Sequence, residues 1–300
     1  PFFRTEPKQG STAGIATRKL AEREFGTKQQ GLAEQLLADK SVALLADEIL
    51  ADLDAGSLAK RSVIAKKIKP LPSNENSFAF VISTQSYQDP IIGRLDQAPA
   101  SASAYRSLLI SQLGVPRSQV FAIDEAQSVD FASLFGLDGR GNSDLKVFVT
   151  PKTQLYIHIA GQLRLTTKGD DVLIFPADAL SEAQAFRLSD LLAELKASRA
   201  GKVHVLLDGN WLRTGAQRLS RFKLRRVLGS NSQVYLAPDL ALGALTSLAI
   251  EAYKGAADGI TGGADTREPN GRVSDAEFEA FLKQATLDQS GEPLFALVKN

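Results

Sequence analysis

The stretch Val203-His204-Val205-Leu206-Leu207-Asp208-Gly209-Asn210-Trp211 decides how this chain is read. Its first five residues are apolar apart from one imidazole, the pattern of a strand buried on both faces. The run then meets Asp-Gly, a turn signal. The carboxyl end of a central parallel strand is where α/β proteins place reactive groups. Positions 208–211 are therefore the first place to look for chemistry. A second stretch, Leu155-Tyr156-Ile157-His158-Ile159-Ala160-Gly161-Gln162, has the same form and ends beside another amide. Neither Gln162 nor Asn210 carries a group that titrates near neutral pH.

Working outward, apolar runs predict strands at 78–83, 120–123, 152–159, 172–175, 203–207 and 233–237. Helical periodicity falls between them at 98–113, 128–137, 180–197, 241–253 and 274–285. Leu188, Leu191, Leu192 and Leu195 mark one face of the third of these helices, and Ser128 stands where the second would be capped. Such alternation predicts an α/β fold: a three-layer sandwich with a mostly parallel central sheet and helices on both faces. Ahead of it, Leu32, Leu36, Leu37, Val42, Leu45, Ile49 and Leu53 recur at helical spacing. We read residues 1–69 as a helical N-terminal segment, 70–76 as a proline-containing linker, and 77–300 as the main domain.

Composition removes whole classes of chemistry. Cysteine is absent, which excludes disulfides, thiolate metal sites and a cysteine nucleophile. The two histidines, His158 and His204, both lie inside strand-like runs, where a hydrogen-bonded core imidazole is expected. Net charge is +1, so nucleic-acid binding would need a local patch, and none is expected. No apolar run reaches the length of about eighteen residues needed for a transmembrane helix. The first residue is Pro1 and methionine is absent, so the chain reads as processed or truncated; a removed secretory signal, with an extracytoplasmic location, periplasmic or secreted, would fit, and a trimmed chain would fit equally well. No cofactor is expected. Gly139-Arg140-Gly141 and Gly262-Gly263 lack the context of a phosphate loop. Residues 266–277 have part of the spacing of a calcium loop, but Thr266 and Glu268 depart from its first and third ligands. A glycine turn feeding a capped helix fits that stretch better.

The order of motifs resembles the caspase-like peptidases, in particular their bacterial and metacaspase branch. The resemblance is carried by Phe80-Val81-Ile82-Ser83, Tyr87-Gln88-Asp89-Pro90, Leu95, Ala98-Pro99-Ala100-Ser101-Ala102 and Leu113-Gly114-Val115-Pro116 with its following strand. It continues through Ala160-Gly161-Gln162-Leu163, Leu173-Ile174-Phe175-Pro176-Ala177-Asp178, Asp208-Gly209-Asn210 and Gly255-Ala256-Ala257-Asp258. It covers about two thirds of the chain, from residue 77 to about 285. Each motif alone is weak, and their order is what is specific.

The resemblance implies a thiolate nucleophile activated by an imidazole base. At the corresponding positions this sequence has Asn210 and Gln162, so it reads as a catalytically inactive pseudo-enzyme. The resemblance also implies acidic residues that hold a basic substrate side chain. One such position is Ser101 here, while Asp208 is kept. Asp208, Ser101 and Trp211 are therefore candidate binding residues beside the two degenerate positions. Asp208 could equally serve as a cap for a loop amide.

A further candidate surface is the run with Arg213, Arg218, Arg221, Lys223, Arg225 and Arg226, which contains no acid between 213 and 226. Phe222 is its single aromatic, so it lacks the stacking ladder of a single-strand binder. The expectation is a scaffolding or binding module with a protein or peptide partner. The alternatives are a structural subunit that forms homo-oligomers or a larger assembly through the N-terminal helices, and a hydrolase with relocated catalytic residues around Asp208.

Overall fold

The computed structural model describes residues 68–137, 143–166, 171–212, 232–237, 240–260, 270–286 and 296–299, with backbone alone for 212 and 296–299. The expected N-terminal helices and the basic run 213–226 lie outside the described residues, as do the first four positions of the stretch 266–277.

Five parallel strands form the body of the sheet: β1 (Ser77–Ser83), β2 (Val120–Asp124), β3 (Gln154–Leu165), β6 (Lys202–Leu212) and β7 (Ser232–Leu236). The order across the sheet is β2-β1-β3-β6-β7-β8, where β8 (Ala296–Lys299) runs antiparallel at the far edge. Two short antiparallel strands, β4 (Val172–Ile174) and β5 (Phe186–Arg187), extend the sheet where β3 outruns β1. The alternation of pattern seen in the sequence is thus an α/β sheet of mostly parallel strands.

Successive side chains on a strand point to opposite faces, and the two faces here have different characters. Leu155, Ile157, Ile159 and Leu163 of β3 share one face with Val203, Val205 and Leu207 of β6. They pack against α2 (Ser128–Phe135), α3 (Leu145–Phe148) and α4 (Leu188–Ala197), which contribute Phe131, Phe135, Leu145, Leu188, Leu191, Leu192 and Leu195. Each such aliphatic side chain contributes roughly 1.5–3 kcal/mol by leaving water. The opposite face carries Tyr156, His158 and Ala160 of β3 and His204, Leu206 and Asp208 of β6. It is covered by α1 (Gln97–Ser111), α5 (Ala244–Glu251) and α6 (Asp275–Ala285). Here the packing is aromatic: Tyr105 stacks on His158 at 4.6 Å, Tyr156 on His204 at 4.9 Å, and Tyr235 meets Phe278 edge-on. Helices on both faces of one sheet make the three layers.

The structure corrects three sequence expectations. The helix expected over 180–197 begins only at Leu188, because Phe186 and Arg187 are drawn into pairing with β4. Ser128 does not cap α2; Gln127 occupies that position with Asp130 completing the box, and Ser128 instead donates from its N–H and Oγ to Asp178. The strands expected to stop at Ile159 and Leu207 continue to Leu165 and Leu212. In the stretch weighed for calcium, Gly271 adopts φ 80, and Ser274 and Glu277 form a capping box at the start of α6. The segment read as a linker is tied to the body by Leu71 N–H to Gln112 O (2.8 Å) and Asn74 N–H to Gly114 O (2.9 Å).

Candidate functional site

The two extended strands bring the two amide positions together. β3 and β6 are neighbours, and their parallel register pairs Gly161 with Gly209 and Gln162 with Asn210. Asn210 Nδ2 donates to Gln162 Oε1 at 2.9 Å. Gln162 Nε2 donates to the Asn210 backbone carbonyl at 2.7 Å and to Leu163 O at 2.9 Å. Gln162 is 1% exposed, so this pairing satisfies a buried amide that would otherwise cost about 1–3 kcal/mol. The sequence carried a signal for the extension: Gln162-Leu163-Arg164-Leu165 and Asn210-Trp211 keep the polar–apolar alternation of a strand.

The two glycines are required by close neighbours. A Cβ on Gly161 would stand 2.7 Å from the Tyr87 hydroxyl. That hydroxyl accepts the Gln162 backbone N–H at 2.6 Å and donates to Thr84 O at 3.3 Å. Burial raises the Tyr87 pKa well above the usual phenol range, so the group stays a neutral hydroxyl. A Cβ on Gly209 would run into the Leu163 side chain. Tyr87 thus closes the end of the β3 ladder where β1 has already turned away.

Two residues back along β6, Asp208 is 2% exposed and belongs to a different network. Its Oδ1 accepts Gly243 N–H at 2.9 Å, and its Oδ2 accepts Ser101 Oγ at 2.7 Å and Thr246 N–H at 3.2 Å. Gly243 has φ 93 and opens α5, so Asp208 holds the start of that helix, where a carboxylate is favoured by exposed N–H groups. Burial raises the Asp208 pKa, opposed by the hydrogen bonds from Thr246, Ser101 and Gly243.

Ser101 Oγ also lies 2.9 Å from Thr246 Oγ1, and Thr246 Oγ1 lies 2.9 Å from His158 Nε2. Ser101 Oγ is the donor to both Asp208 and Thr246 Oγ1. His158 Nδ1 has no partner among the described residues. Burial pushes the His158 pKa down to about 3. His204 is likewise held below its ordinary value by burial, with Asp275 opposing and Lys202 reinforcing that shift.

This knot contains a serine, a histidine and an aspartate, yet it is not wired for acyl transfer. A triad places the imidazole between hydroxyl and carboxylate, with the hydroxyl reachable by substrate. Here the hydroxyl bonds the carboxylate directly, and Ser101 Oγ is 3.5 Å from His158 Nε2. Ser101 is 5% exposed and His158 0%.

The candidate residues therefore fall into separate groups. Gln162 and Asn210 are joined side chain to side chain. Asp208 and Ser101 are joined to each other, inside the protein. Trp211 lies on the opposite face of β6, packed against the large apolar core. Arg218, Arg221, Lys223, Arg225 and Arg226 lie outside the described residues. Thr246, Gly161 and Gly209 escaped the sequence reading, because their roles depend on neighbours far along the chain.

No family model matches the sequence, and no curated protein matches it. Among solved structures, the chain is similar to the structure of pro-sf-caspase-1, with 7% identity, a TM-score of 0.47, and 80% of this chain and 96% of that chain covered.

Proposed function

We propose that residues 77–300 are a caspase-like domain in which an amide pair replaces the catalytic pair, and that the chain acts by binding a protein or peptide. The observation that carries this reading is the Gln162–Asn210 pair, with side chains 2.9 Å apart. A thiolate–imidazole mechanism needs a nucleophile and a group that exchanges its proton at neutral pH. Two amides supply neither. They also spend their polar atoms on each other and on the backbone of β3 and β6. The basic run from Arg213 to Arg226 follows directly on β6 and offers an acidic partner six cations without an acid between them.

Two measurements test the proposal. The full chain is assayed against peptide libraries with basic and acidic residues at the cleavage position, and no hydrolysis is expected. Hydrolysis by the wild type that disappears in Asn210→Ala or Gln162→Ala would overturn it. Crosslinking pull-down then compares the wild type with Arg221, Lys223, Arg225 and Arg226 all changed to Glu. A defined partner lost in that variant is the expected result.

A further inference from the structure

Three loop segments meet at the carboxyl end of the sheet and are stitched together. Gln88 N–H donates to Ala177 O at 2.8 Å, Ala177 N–H to Ala126 O at 2.7 Å, and Ser128 Oγ to Asp178 at 2.9 Å. Ile92 and Ala179 share a small apolar cluster with Phe175. From these stitched segments three aliphatic side chains project into water. They are Ile91 beside Ile92, Val129 beside Ser128 and Leu180 beside Ala179, at 84%, 65% and 60% exposure. Single exposed aliphatic residues are ordinary; three on two loops and the first turn of α2, stitched together, are the form of an interaction surface.

The same segments, 85–92, 124–130 and 176–184, contain Asp89, Asp124, Glu125, Asp130, Asp178 and Glu182 and no lysine or arginine. Most of these carboxylates bond neutral donors. Asp89 accepts Ile91 N–H, Asp124 accepts Ser83 Oγ, Glu125 accepts Gln85 and Ser86 N–H, Asp130 accepts Gln127 N–H, and Asp178 accepts Ser128. A neutral donor leaves the negative charge in place. Glu182 is the exception, paired with Arg164 at 3.0 Å.

We propose that this rim docks a cationic amphipathic peptide segment of a protein partner. Aliphatic side chains of the segment would cover Ile91, Val129 and Leu180, and its lysines or arginines would face the carboxylates around them. The charge selects the class of partner: phosphate-bearing surfaces, nucleic acid and anionic lipid alike, are repelled by a rim of one negative sign. The rim adjoins the amide pair through Tyr87, but its test reads binding without any hydrolysis, so the two readings fail separately.

The test uses the full chain and a labelled amphipathic helix of leucine and lysine, read by fluorescence anisotropy. A control peptide carries serine in place of leucine. Ile91→Ser, Val129→Ser and Leu180→Ser, each at an exposed position, are expected to weaken binding about tenfold or more, as for residues at the centre of an interface. Val147→Ser, at an 80% exposed position on α3 outside these segments, is expected to bind as the wild type does. Added salt is expected to weaken binding, and the serine peptide to bind far less well. Absence of binding by the leucine–lysine helix would overturn the proposal. So would equal affinity across all four variants, or equal affinity for the serine peptide.

Discussion

Acid should destabilise this protein through His158, and the size of the effect can be worked from its surroundings. His158 is 0% exposed, its ring lies on Tyr105, and its Nε2 is hydrogen-bonded to Thr246 Oγ1. A protonated ring carries an N–H on both nitrogens, and no described residue accepts from Nδ1. Burial holds the folded-state pKa at about 3, against 6.5 for an ordinary histidine. Above pH 6.5 both folded and unfolded chains hold the ring neutral, and the group contributes no pH dependence. As the pH falls below 6.5 the unfolded chain takes up a proton that the folded chain refuses. Stability is lost at about 1.4 kcal/mol per pH unit, reaching about 2 kcal/mol at pH 5 and levelling off near the folded pKa. The assay is urea unfolding between about pH 5 and 7.5, followed by the fluorescence of Trp211, the single tryptophan, which packs against the core. His158→Phe keeps an aromatic ring against Tyr105 and removes the titration; His158→Leu serves if that variant does not fold. Either variant is less stable at neutral pH, because Thr246 loses a partner, but its stability should fall less on acidification by about 2 kcal/mol at pH 5. Carboxylates common to both proteins cancel in this comparison. Parallel pH profiles for wild type and variant would refute the reasoning.

Other consequences follow from the same geometry. Gly209→Ala should destabilise by about 1–3 kcal/mol through contact with Leu163, and pairing it with Leu163→Ala should cost less than the sum of the single changes in a denaturation cycle. Gly161→Ala should displace the Tyr87 hydroxyl, seen as lost protection of the Gln162 amide in hydrogen exchange. Gln162→Ala and Asn210→Ala should each cost about 1–3 kcal/mol, with a coupling of about 1 kcal/mol between them in a double-mutant cycle; simple additivity would contradict the amide pair. Ser101→Ala should raise the Asp208 pKa further by removing a hydrogen bond that lowers it, and should destabilise the start of α5, read by exchange at Thr246.

Much of the fold was legible from local pattern. The leucines of α4 reveal their face by spacing, and the buried strands of the sheet announce themselves by continuous apolar runs. Both histidines were read as core residues, and both are buried beside tyrosines. The site was less legible. Positions 162 and 210 look like loop residues after a turn signal, because Ala-Gly and Asp-Gly usually end a strand. Here each glycine admits a neighbour, Tyr87 against Gly161 and Leu163 against Gly209, and the strands run on.

The sequence by itself determined the order of the five parallel strands and the longer helices between them, the absence of cysteine and the identity of the two amides, since these are properties of one residue or one short window. Only the tertiary structure decided what those residues touch. Parallel pairing joins segments about fifty residues apart, so it makes Gln162 and Asn210 partners, turns Trp211 to the other face from Asp208, and closes Asp208, Ser101, Thr246 and His158 into one buried network. Register and burial are set by the packing of the whole sheet, and no local stretch of the chain carries that information.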